Sequence, residues 1–153
     1  MQLTSHTDYA LRTLMVLGLS YPAKVRTVDI CEAFEISDNH LAKVVQTLAH
    51  CGYVLTSRGK DGGVRLGRAP DEINIGEVVR NVESDLGVVP CLRAGGQECF
   101  ITPVCSLKTI LRDATERFVM HLDQFSLSDL LTGTGSGPTP LRQRLVKRLP
   151  MLG

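Results

Sequence analysis

At 153 residues the chain has the length of one ordinary domain, or of one small domain with an appendage. Its 43% apolar and 22% charged residues place it among globular proteins, and the lack of Trp excludes an aromatic-rich core. A net charge of +1 excludes a chain that is basic throughout, and five cysteines exclude a fully paired disulfide framework.

In chain order, residues 5–20 predict a first helix, with Ala10, Leu11, Leu14, Met15 and Leu17 on its apolar face and Tyr21-Pro22 stopping it. The stretch LRTLMVLGLSYPA superficially resembles a secretory signal. No basic segment precedes it, however, and Asp8 and Arg12 fall where a signal avoids charge. The apolar run Leu14–Leu19 is too short to cross a bilayer, so the expected location is a reducing cytoplasm. Thr27 is the expected N-cap of a short second helix, Val28–Phe34. Ser37 is that of a third, which ends at His50 before Gly52. Leu41, Val44, Val45 and Leu48 form the buried stripe of this third helix. Asn39, His40, Lys43, Gln46 or Thr47, and His50 lie opposite.

Tyr53–Thr56 and Val64–Leu66 read as two short strands around Arg58-Gly59-Lys60-Asp61-Gly62-Gly63, a hairpin with a basic, glycine-rich tip. Asn74-Ile75-Gly76-Glu77 has the spacing of a capping box and opens a helix to about Glu83. Residues 84–104 lose periodicity and gather Gly, Pro and Cys. From Pro103 a long helix follows, striped by Leu107, Ile110, Leu111, Ala114, Phe118, Leu122 and Phe125 and suited to a twofold mate. Thr132–Pro140 is a linker, and four basic groups without an acid follow it. The expected organisation is mainly α with a small β-hairpin. Residues 1–83 form a winged helix-turn-helix, 84–104 a cysteine-bearing loop, 105–131 a dimerisation helix and 132–153 a flexible basic tail.

Residues 37–68 carry five basic groups against two acidic ones, which suggests a polyanion at this face. On the third helix Ser37, Asn39, His40, Lys43 and Gln46 sit near the half that enters a major groove, where Asn and Gln pair with adenine edges and Lys with guanine or phosphate. At the hairpin, Arg58, Lys60 and Arg65 supply charge, while Gly59, Gly62 and Gly63 let the backbone approach phosphates or a minor groove. Against this stand a helix-turn-helix that binds no nucleic acid and glycines that merely punctuate a turn.

Cys91, Cys99 and Cys105 are separated by seven and five residues. Thiolates are the ligands of iron–sulfur clusters, and a loop can fold three around one site. Structural zinc sites prefer closer pairs. On spacing alone a cluster, zinc, a metal-free thiol switch and three ordinary buried thiols all stay open. Cys31 and Cys51 lie on partly apolar helical faces and read as structural. No substrate pocket, nucleotide loop or nucleophile–base pair is evident, so an enzyme is not expected.

Five motifs in order, MQLTSHTDYALR, ISDNHLAKVVQTLAHCGYV, SRGKDGGVRLG, INIGEVVRNVE and CFITPVCSLK, resemble the winged-helix iron–sulfur transcriptional repressors of bacteria over Met1 to about Leu131. The likeness is greatest to the nitric-oxide-sensitive branch, through Ile101-Thr102-Pro103 before the last cysteine and Leu107-Lys108 after it. Other members carry a histidine ligand at the position of Lys108. The gap from Cys91 to Cys99 is longer than in much of that branch. The resemblance implies a homodimer on an operator duplex, with a [4Fe–4S] cluster (alternatively [2Fe–2S]) on Cys91, Cys99 and Cys105. It also implies Asp8 as a fourth ligand, given across the dimer, and nitric oxide as effector. Asp8 has a plainer reading as well, a first-turn acid favourable to the helix dipole and paired with Arg12. The alternative functions are a regulator sensing iron–sulfur or redox status and, from another class, an electron carrier or a zinc- or cluster-bearing interaction module.

Overall fold

The computed structural model describes residues 2–59, 62–97, 99–132 and 141–149. Helix α1 spans Ser5–Ser20, with the Thr4 hydroxyl accepting from the Thr7 amide, and buries Ala10, Leu14, Val16 and Leu17. Helix α2 covers Thr27–Phe34. Thr27 is its first residue rather than its cap, since Arg26 occupies the cap position without a side-chain bond. Glu35 ends α2 in a left-handed conformation (φ 57°), and the chain turns at once into α3, Asp38–His50. Ser37 caps α3 as its sequence predicts, accepting from the His40 amide, and Leu41, Val44, Val45 and Leu48 are its buried stripe. Helix α3 packs on α1 and α2, so three helices share one aliphatic core.

Strands β1 (Val54–Ser57) and β2 (Gly63–Leu66) pair antiparallel, with Val54 opposite Leu66 and Ser57 opposite Gly63. The period-2 pattern sets which side chains point inward: Val54, Val64 and Leu66 are buried while Leu55 and Arg65 face out. Val25 makes a single isolated bridge to β2, exchanging both backbone bonds with Val64 at 2.8 Å, so the hairpin is anchored to the segment before α2. The molecule is thus mainly helical with one small hairpin, a helix-turn-helix followed by a wing.

Helix α4 is Ile75–Val82. Asn74 caps it from one side only: its Oδ1 accepts from the Glu77 amide at 2.9 Å and its Nδ2 donates to the Asp123 carbonyl at 2.7 Å. The Glu77 carboxylate does not return to Asn74 to close a capping box. It accepts from the Tyr53 hydroxyl at 3.0 Å instead, which gives that buried phenol a partner.

The long helix expected over 105–131 is two helices. Helix α5 runs Ser106–Leu122, and α6 runs Leu127–Thr132. Ser126 and Asp129 form a reciprocal cap that starts α6, with the Ser126 amide donating to Asp129 Oδ2 at 2.7 Å and the Asp129 amide to Ser126 Oγ at 3.3 Å. The turn is fixed by backbone bonds from Ile75 to Phe125 (2.9 Å) and from Leu127 to Ile73 (2.8 Å). The apolar stripe divides accordingly. Leu122 and Phe125 pack on this chain's own core, whereas Leu107, Ile110 and Met120 are about 60% exposed.

Gly76 sits where α4 meets this turn. A Cβ there would lie 2.9 Å from the Asp123 backbone nitrogen and press on its side chain. Gly76→Ala gains roughly 0.5–1 kcal/mol of helix propensity, but overpacking against backbone costs about 1–3 kcal/mol. The overlap wins, and a lowered midpoint of thermal unfolding is expected; a raised one would mean that the turn yields freely.

The tail also differs from expectation. Residues Leu141–Val146 form a short helix, α7, and Leu145 and Leu149 are buried in the common core. Arg148 donates to the Ala33 carbonyl at the end of α2 (2.9 Å) and pairs with Glu35. Apolar side chains in this otherwise basic segment hold it down.

Candidate nucleic-acid interface and cysteine loop

The outer face of α3 presents Asn39, His40, Lys43 and Gln46 to solvent, with Ser37 exposed just before them. Thr47, the alternative to Gln46 in the sequence, is turned away. Its hydroxyl donates to the Lys43 carbonyl at 3.1 Å and meets His6 Nε2 at 3.1 Å. At the wing, Arg58 and Arg65 are exposed and Gly59 takes a positive φ of 100°. Gly62 and Gly63 are needed by the hairpin itself, because a Cβ at either would lie 2.7–2.8 Å from carbonyl oxygens of Ser57, Gly59 or Val25. Lys60 lies outside the described residues. The structure therefore brings Ser37, Asn39, His40, Lys43 and Gln46 onto one face, with Arg58, Gly59, Gly62, Gly63 and Arg65 on the adjoining wing.

The cysteine loop leaves α4 at Glu83 and rejoins helix at α5. Cys91 lies in a single 3-10 turn, Pro90–Leu92, that packs on α5; Cys99 is exposed; and Cys105 occupies the cap position of α5. All three are free thiols, and Cys91 and Cys105 are half-buried. Among the described residues no three His, Cys, Asp or Glu side chains of one chain lie close enough to hold a metal ion. The donor set fits an iron–sulfur group by its chemistry, soft thiolates free of disulfides on one polar loop. Cys31 contrasts with them. Burial, reinforced by Asp38, pushes its thiol up to about 11, so it stays protonated and inert.

Asp8 stands in the first turns of α1, half-exposed, with Arg12 Nη2 2.9 Å from Oδ2 and Nε 3.0 Å from Oδ1. The i,i+4 pair foreseen from sequence is thus formed, and the carboxylate is held at the surface of α1.

Two contacts escaped the sequence. Glu83 is 8% exposed, and its Oε2 accepts from the Thr4 amide (2.9 Å), the Thr4 hydroxyl (3.1 Å) and the Thr7 hydroxyl (2.7 Å). A carboxylate at a helix N-terminus is favoured by the free amides and the dipole. It was legible only as the end of α4, since its partners lie over 70 residues away. The His6–Thr47 contact then joins α1 to the outward helix α3. Glu83 immediately precedes the cysteine loop, so a continuous chain of contacts runs from that loop through the start of α1 to α3.

The Rrf2 model, described as iron-dependent transcriptional regulators, matches residues 3–133. A protein of Geobacillus kaustophilus named HTH-type transcriptional regulator NsrR is 47% identical over 145 residues, 94% of this chain and 99% of that one. The protein of the same name from Bacillus subtilis is 46% identical over 132 residues, 86% of this chain and 90% of that one. Among solved structures, T. potens IscR superposes with a TM-score of 0.67 at 22% identity, covering 86% of this chain and 87% of that one, a likeness of fold.

Proposed function

Because the chain belongs to the Rrf2 family of transcriptional regulators, we propose that its hold on operator DNA answers to nitric oxide through an iron–sulfur cluster on Cys91, Cys99 and Cys105. It is a DNA-binding transcriptional repressor of that family. The observation that carries the proposal is the placement of three free thiols on one loop that begins at the residue after Glu83. The name shared by the relatives, NsrR, supports nitric oxide as effector.

In this reading the protein acts as a cytoplasmic homodimer. Leu107 and Ile110 on α5 leave an apolar patch for the second copy. Asn39 and Gln46 read adenine edges, Ser37 and His40 contact the groove, and Arg58, Lys60 and Arg65 neutralise phosphates. When bound, a [4Fe–4S] cluster (or its [2Fe–2S] alternative) supplies iron at which nitric oxide coordinates. Cys91, Cys99 and Cys105 hold it, and Asp8 completes the set across the dimer. Asp8 would have to give up its pairing with Arg12 to hold the group, so Arg12 is the residue that would compete for its carboxylate. Glu83 transmits the ordering of the loop to α1, and His6 passes the position of α1 to α3. A bias of ~1–3 kcal/mol on the DNA-competent arrangement changes affinity roughly 5–150-fold.

The test is protein isolated without oxygen, assayed for iron and sulfide and titrated with nitric oxide on a bound duplex. Brown protein that releases the duplex is expected. Asp8→Ala should keep iron on its three thiols yet lose the coupling of nitric oxide to release. Colourless, zinc-loaded protein, or equal affinity with and without the cluster, would overturn the proposal.

A further inference from the structure

We infer that the cleft between the start of α1 and the outer face of α3 is a seat for one backbone phosphate of the bound duplex. The inference rests on α3 being the helix that enters the major groove.

The cleft has a volume of about 370 Å³ and is lined by Thr4, Ser5, His6, Tyr9, His40, Lys43 and Val44. Val44 is fully buried and forms the floor, while Ser5, His40 and Lys43 stand exposed at the rim. No carboxylate is among these lining residues, so Lys43 brings a positive charge to the cleft with no counter-ion among them. The hydroxyls of Ser5 and Tyr9, the imidazole of His40 and one ammonium suit a tetrahedral, singly charged phosphodiester better than an apolar ligand. Position argues for the same ligand. A cleft on the flank of a helix lying in the major groove faces the groove wall, where the sugar–phosphate strand runs.

The hydrogen bonds divide the labour between the two histidines. The Thr47 hydroxyl donates to the Lys43 carbonyl, so toward His6 it accepts, and the proton lies on His6 Nε2. That nitrogen is thereby committed to Thr47 and not to a ligand in the cleft. His6 is therefore a positioning residue that fixes α1 against α3. Lys43, His40, Ser5 and Tyr9 are the donors. Half of the seat thus stands on α1, the helix gripped by Glu83, and half on α3. A shift of α1 would widen the cleft and loosen the phosphate without touching a base contact.

The experiment uses the full-length, cluster-loaded protein and a duplex selected by it from random sequence, scanned with single neutral methylphosphonates. One position per half-site is expected to weaken binding roughly tenfold, the ratio for one hydrogen bond to a charged group. In Lys43→Gln that position should lose most of its effect while the other sensitive positions keep theirs. Tyr9→Phe should lessen it in part. Penalties for Lys43→Gln that stay additive at every methylphosphonate would overturn the seat, as would a Lys43→Gln penalty that depends on one base pair. Unaltered sequence preference in Asn39→Ala and Gln46→Ala would overturn the assignment of α3 itself; preference lost there with additive methylphosphonates would overturn the seat alone.

Discussion

Cys99→Ser is expected to give a colourless protein whose grip on its operator falls by roughly 10–100-fold and no longer responds to nitric oxide. The magnitude is that of an allosteric coupling of ~1–3 kcal/mol in all. The argument turns on exposure. Cys99 lies at the surface of the loop, and its bonds with Thr102 are made by its backbone, the amide donating to Thr102 Oγ1 at 3.2 Å and the carbonyl accepting from the Thr102 amide at 2.8 Å. Removing its sulfur therefore leaves the fold alone, within about 0.5 kcal/mol for an exposed site. Cys31→Ser is the counterpart. That thiol is 9% exposed in the core, so a hydroxyl there should lower the unfolding midpoint while iron, sulfide and the response to nitric oxide persist. The two cysteines are separated by readout, metal content in one and stability in the other. A Cys99→Ser protein that keeps its iron and still releases DNA would remove the loop from the sensor.

Such a contrast was half visible in the residues alone. Where a bond closes within one turn, the pattern suffices: Ser37 before Asp38, Asn74 before Glu77, and the stripe Leu41, Val44, Val45 and Leu48 all behave as their spacing requires. The hairpin is equally local, since its two strands face each other across five residues. What spacing misses is competition from distant partners. Glu77 is placed to close a capping box, yet the phenol of Tyr53, 24 residues away, claims its carboxylate. The helical period continues through Phe125, yet Ile73 and Ile75 draw the chain into a turn by backbone bonds that leave no mark on hydropathy. In the tail, basic composition concealed Leu145 and Leu149, two side chains sufficient to dock a short helix. The three cysteines were recognisable as a group, but the contacts that Glu83 and His6 make were not, because their partners lie 76–79 and 41 residues away.

Glu83 is consequently the side chain whose loss should cost the fold most for its size. Its one oxygen accepts three hydrogen bonds at the start of α1, and the Thr7 hydroxyl it serves is fully buried. Bonds to a charged group are worth about 1.5–3 kcal/mol each, though three sharing one oxygen do not add. Glu83→Ala leaves donors of Thr4 and Thr7 without a partner, and a loss of ~3 kcal/mol is the expected scale. In a protein of this size that lowers the thermal midpoint by roughly 6–12 °C. Glu83→Gln keeps a carbonyl oxygen for Thr7 but forfeits the charge and sets an amide beside donors, so an intermediate loss is expected. Stability alone would mark Glu83 as a fastener. Its place between the cysteine loop and α1 predicts a second effect, read well below the midpoint: cluster-loaded and cluster-free Glu83→Ala should bind the duplex with nearly the same affinity, because ordering the loop no longer moves α1. A lowered midpoint with the full affinity ratio retained would leave Glu83 as structure only. An unchanged midpoint would mean that the clamp on Thr4 and Thr7 does not form.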